Sequence, residues 1–70
     1  MSKIFDTIKS WVVMTASVTN PHQKYWSASV TICGMDVNGQ GVSIEKAYQD
    51  LTANLMINSE YRTEIENRMK

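Results

Sequence analysis

The sequence predicts an α+β fold: a three-stranded antiparallel sheet with a short N-terminal helix and a main C-terminal helix packed on one face. Three observations carry this. Residues 24–33, KYWSASVTIC, alternate apolar and polar side chains with a period of two. The stretch CGMDVNGQG follows at once and has the composition of a tight turn and a weak strand. From Ser43 onward, apolar residues recur at helical spacing. Strands followed by helices argue for a helical layer on one sheet face.

The elements are expected in the following order. Residues 2–9 form a short helix, with Ser2 as N-cap and Ile4, Phe5 and Ile8 sharing a face. Two helical turns are marginal alone, so this helix needs the core. Residues 11–18, WVVMTASV, are rich in β-branched side chains and read as a strand. Its apolar set, Val12, Met14, Ala16 and Val18, would face the core, leaving Trp11, Val13, Thr15 and Ser17 outside. Thr19 to Gln23 form the connection, started as a turn by Asn20-Pro21. In the strand 24–33, Trp26, Ala28, Val30 and Ile32 face the core, while Tyr25, Ser27, Ser29 and Thr31 face out. Two hairpin turns are open to the second connection, near Gly34 and at Asn38-Gly39. The first is preferred, because it leaves room for a short strand over 36–41. Ser43 caps a helix over 43–57, and a helical tail occupies 59–69, with a break where the apolar stripe shifts phase near residue 57.

Seventy residues make one domain, 1–70. A chain this short is marginally stable alone, which favours dimerisation or docking on a partner. Seven basic and seven acidic residues cancel. A dedicated nucleic-acid binder usually carries a basic excess, because phosphate neutralisation supplies much of its affinity. The lone cysteine, Cys33, cannot staple a fold, so a disulfide scaffold is excluded. The N-terminal stretch has no apolar run long enough for a signal or membrane segment, and a soluble, cytoplasmic protein is expected.

The turn NPHQKYW carries the chain's only proline and only histidine, followed by a lysine and two aromatics. Pro21, His22, Lys24 and Tyr25, with the glycine-punctuated run VTICGMDVNGQGVSIEKAYQDL over 30–51, resemble the double-stranded-RNA-binding-domain family. The resemblance spans roughly residues 11–57 and places Ser43 and Ala47 at familiar positions. It implies an α-β-β-β-α order, and it implies nucleic-acid contacts by His22, Lys24 and Lys46. The family's last helix opens with a lysine cluster, whereas the stretch here is Ser43-Ile44-Glu45-Lys46-Ala47-Tyr48, with Lys46 as its single basic residue. Each missing phosphate contact removes counterion release and affinity.

His22 either enters a groove or is a turn residue facing water. Tyr25 and Trp26 beside Lys24 either stack a base or, for Trp26, fill the core. The outer sheet face expected from this register includes Trp11, Val13, Thr15, Tyr25, Ser27 and Ser29. It carries no charge, and an exposed aromatic-aliphatic patch rimmed by hydroxyls suits the centre of a protein interface. Its strand edges are open to pairing with another chain, so a homodimer is a further expectation. Cys33 and His22 lie at opposite ends of a hairpin, which disfavours a Cys-His nucleophile. One Cys and one His do not make a metal site, and NGQG lacks the Lys-Ser pair of a phosphate loop. No catalytic residue, metal or cofactor is expected.

The expected function is a small, non-enzymatic protein-interaction module. A phage-type inhibitor that binds and blocks a host defence complex, anti-CRISPR-like in style, would be one instance, its partner then a host nucleoprotein complex. The alternative is weak binding of double-stranded RNA or DNA through His22, Lys24 and Lys46. No membrane is involved in either.

Overall fold

The computed structural model describes residues 3–70. Its order is α1 (Lys3–Thr15), β1 (Ser17–His22), β2 (Tyr25–Ile32), β3 (Met35–Gly41), α2 (Ile44–Met56) and α3 (Ser59–Arg68). The three strands form one antiparallel sheet in the order β1-β2-β3. The helices lie on one face of it. The fold is therefore α+β with a three-stranded antiparallel sheet, an N-terminal helix and C-terminal helices packed against it.

The largest departure from the expected elements is in the first twenty residues. The helix expected over 2–9 continues to Thr15, and residues 11–15 are not a strand. Ile4, Ile8, Trp11 and Val12 form one stripe at i, i+4, i+7 and i+8, and Ile8 and Val12 are fully buried. Burial of this stripe outweighs the weak β preference of Val12 and Val13. The last turn is closed locally: Thr15 Oγ1 donates to the Trp11 carbonyl at 2.7 Å, and Ala16 N–H donates to the Val12 carbonyl at 2.8 Å. Two expectations are reversed as a result. Trp11 is only 5% exposed, in the core rather than on the outer sheet face, and Met14 is 67% exposed rather than core-facing. The Ser2 cap lies outside the described residues.

β1 starts at Ser17 and absorbs most of the expected connection. Thr19 pairs with Ser27 and His22 with Tyr25, so Asn20 and Pro21 together oppose Trp26 as a bulge. The turn itself is Gln23-Lys24. A proline fits here because an edge strand at a bulge can do without its N–H. β2 keeps the expected alternation, with Ala28, Val30 and Ile32 buried and Trp26 half-buried on the core face.

The second turn is the one near Gly34. Ile32 pairs with Met35 across Cys33 and Gly34, whose φ angles are +52° and +75°. Two consecutive left-handed residues match the right-handed twist of the flanking strands. Asn38-Gly39 lies inside β3 instead. A Cβ on Gly39 would meet the Leu51 backbone, and one on Gly41 the backbone of Lys46 and Ala47. The β3 glycines thus let α2 lie directly on the strand.

α2 is capped by Ser43, whose side chain accepts from Lys46 N–H, and it covers β3 and β2 through Ala47, Leu51 and Leu55. Asn58 ends the phase of α2 and caps α3, accepting from Glu60 N–H at 2.9 Å and Tyr61 N–H at 3.4 Å. The tail packs on its own domain, against α1 and α2. Ile65 is its buried anchor, and Arg68 stacks over the Trp11 ring at 5.7 Å.

Candidate functional site

Because all three helices occupy one side, the other sheet face is left bare. Alternation and register assign its side chains. Ser17, Ser29 and Asn38 form one row across the strands, and Thr19, Ser27 and Gln40 form the next. Thr31 and Asp36 pair beyond the first row, and His22 and Tyr25 close the opposite end. No side chain in these rows is Lys, Arg or Glu. The single carboxylate is engaged, because Thr31 Oγ1 donates to Asp36 Oδ1 at 2.7 Å. The surface is therefore short-chained, hydrogen-bonding and nearly uncharged. Solvated sheet faces normally carry long charged side chains.

At one end of the face Thr15, Ser17, Ser29, Thr31, Asp36 and Asn38 line a depression of about 540 Å³. At the other, the His22 and Tyr25 rings stack with centroids 5.8 Å apart and planes 13° apart. His22 Nδ1 accepts from Lys24 N–H at 3.3 Å, which leaves Nε2 toward solvent.

The structure sorts the expected interface residues into two groups. Tyr25, Ser27 and Ser29 lie on the bare face, and Thr15 reaches its rim from the end of α1. Trp11 and Val13 do not belong to it. Trp11 is core, and Val13 lies on the exposed side of α1, beside Asp6, Lys9, Ser10 and Met14. Thr19, Asn38 and Gln40 join the face although they were not expected there. The signal for Asn38 and Gln40 was the two-residue spacing of a turn at Cys33-Gly34, which puts Asp36, Asn38 and Gln40 in phase with Ser27 and Ser29.

The nucleic-acid alternative draws on the His22 end of the bare face and on the start of α2. Trp26 pairs with Gly41, so the Gln23-Lys24 turn and the start of α2 lie at the same end of the sheet. His22, Lys24 and Lys46 are all exposed there. Two acidic residues share the region. Glu45 is paired with Lys9 of α1, and Asp50 Oδ2 accepts from Gln40 N–H at 3.0 Å. The hydrogen bond and charge of Lys9 hold the Glu45 carboxyl below its ordinary value. Lys9 is thereby committed to a carboxylate.

His22 pairs with Tyr25 at the start of β2 and Cys33 follows its last residue, so the two stand at opposite ends of the strand. Among the described residues no three His, Cys, Asp or Glu side chains converge. No described helix is long and apolar enough to cross a membrane. Comparison with family models, curated proteins and solved structures returns no match.

Proposed function

We propose that this chain is a non-enzymatic protein-interaction module whose bare sheet face seats a partner protein. The observation that carries it is the combination of three helices on one face and a short-chained, hydroxyl- and amide-rich opposite face. Such a face can approach another protein surface with only one charge to desolvate, Asp36, which already accepts from Thr31. Ser27 and Ser29 lie at its centre on β2, Tyr25 at one end and Thr15 at its rim. A phage-type inhibitor that covers a host defence complex fits this description. The test is affinity capture from a bacterial lysate with the wild type and with Ser27→Arg and Ser29→Arg. The reading requires a protein retained by the wild type and lost by both variants. Retention unchanged by arginines at the centre of the face removes it.

The duplex-binding alternative is favoured by one observation, the placement of His22, Lys24 and Lys46 at the same end of the sheet. The order α1-β1-β2-β3-α2 is compatible with the double-stranded-RNA-binding-domain resemblance, with α3 as an addition. Against it stand a single basic residue in the first turn of α2 and the pairing of Lys9 with Glu45. An electrophoretic shift with duplex RNA and DNA at low salt, abolished by Lys24→Glu, would establish it. Absence of any shift would leave the protein-docking reading alone.

A further inference from the structure

The two edges of the sheet are not equivalent. On β3, Gln40 N–H is bonded to Asp50 and the Asn38 carbonyl accepts from Asn54 Nδ2 at 2.9 Å. Both backbone groups point away from β2, so side chains of α2 occupy the outer edge of β3. Alternation along the ladder then directs the polar groups of Ser27 and Ser29 toward β1, and those of Val18 toward the open side of β1. Edge strands are usually blunted by charge. β1, SVTNPH, contains no Lys, Arg, Asp or Glu. The bulge at Asn20-Pro21 limits it at one end and the Ala16 N–H, bonded to the Val12 carbonyl, at the other, leaving the stretch from Ser17 to Thr19 able to pair.

The core is also thinnest on this side. α2 sits over β3 and β2, and Val18 and Ala16 are only half-buried at the rim.

We infer that two copies of this chain associate through antiparallel pairing of their β1 strands about a two-fold axis at Val18. The edge is self-complementary in the way an isologous contact requires. Val18 faces Val18 of the second copy on the core side, which buries both. Ser17 faces Thr19 of the second copy on the bare side, a hydroxyl pair without charge repulsion. The zero net charge opposes nothing at longer range. The two three-stranded sheets become one continuous sheet, and the two bare faces become one surface. So short a paired stretch falls in the small interface class, so association should depend on concentration rather than be permanent. The inference does not rest on the identity of any partner protein.

The experiment is light-scattering or sedimentation mass of the full chain over about a hundredfold range of concentration. The mass should rise from 8.0 kDa toward twice that value. Val18→Pro removes an N–H that the monomer directs to solvent, and it should hold the mass at the monomer value. Thr19→Lys leaves the backbone intact and places like charges near each other across the axis. It should weaken association at least about tenfold. Met35→Lys, at an exposed position of β3, should leave the self-association unchanged. A wild type that stays monomeric throughout overturns the inference, as does a dimer that survives Thr19→Lys in a folded protein.

Discussion

Gly39 of β3 lies so close under Leu51 of α2 that a Cβ on the glycine would stand 2.2 Å from the Leu51 nitrogen. The neighbour is helix backbone, which cannot rotate aside as a side chain would. Gly39→Ala should therefore push α2 off β3 and destabilise the fold by about 2–4 kcal/mol. Gly34→Ala meets no atom within 4 Å but must hold a φ of +75°, so its cost should be smaller, about 1 kcal/mol. Urea unfolding of the two variants distinguishes steric from conformational cost. Equal midpoints would contradict the close approach of α2.

Trp11 and Val13 are two residues apart and should behave as opposites. Trp11→Ala removes a buried ring and its stacking with Arg68, and should cost about 3–5 kcal/mol, enough to unfold much of a domain this small. Val13→Ala, on a side chain 49% exposed, should stay within about 0.5 kcal/mol. Circular dichroism melts of both check the helical register of α1. A strand over 11–18 would have made Val13 and Trp11 equivalent.

Cys33 is a non-glycine residue at a φ of +52° in a two-residue hairpin turn. Asparagine tolerates this conformation better and, before Gly34, makes the Asn-Gly pair that such turns prefer. Cys33→Asn should raise stability by about 0.5–1 kcal/mol. A fall in the melting temperature would mean that the thiol makes a contact that the turn depends on.

The Lys9–Glu45 pair ties α1 to the first turn of α2 and gives stability a sign on the acid side. The folded carboxyl titrates below its unfolded value, so its contribution is complete above the unfolded value. It is lost as pH falls through the folded one. Glu45→Gln should remove that part of the acid dependence while leaving the other carboxylates' share. Glu45 is largely exposed and Lys9 partly so, so salt should weaken the effect. Urea midpoints at neutral and acid pH, at low and high salt, measure it.

Much of the second half of the chain could be read directly. The period-two run from Tyr25 to Ile32, the Ser43 cap, and the phase break at Ile57-Asn58 are local signals. Each comes from alternation, hydrogen-bonding capacity or periodicity within a few residues. The first half misleads for an equally physical reason. Val12 and Val13 favour strands locally, and only the burial of Ile8, Trp11 and Val12 against Leu51, Leu55 and Ile65 makes α1 a long helix. That error moved Trp11 and Val13 onto a face they do not touch. Tyr25, Ser27 and Ser29 were placed correctly because their strand carries its own register.

Local pattern is enough for the class of fold, the central strand, the two C-terminal helices and the neutral balance of charge. Packing between distant residues sets where α1 ends and which residues share the bare face. It also makes β3 the occupied edge and β1 the open one. Those outcomes depend on contacts between residues far apart in the chain, such as Gly39 with Leu51, Asn38 with Asn54 and Trp11 with Arg68. Burial and hydrogen bonding at such distances outweigh local preferences of a few tenths of a kcal/mol per residue.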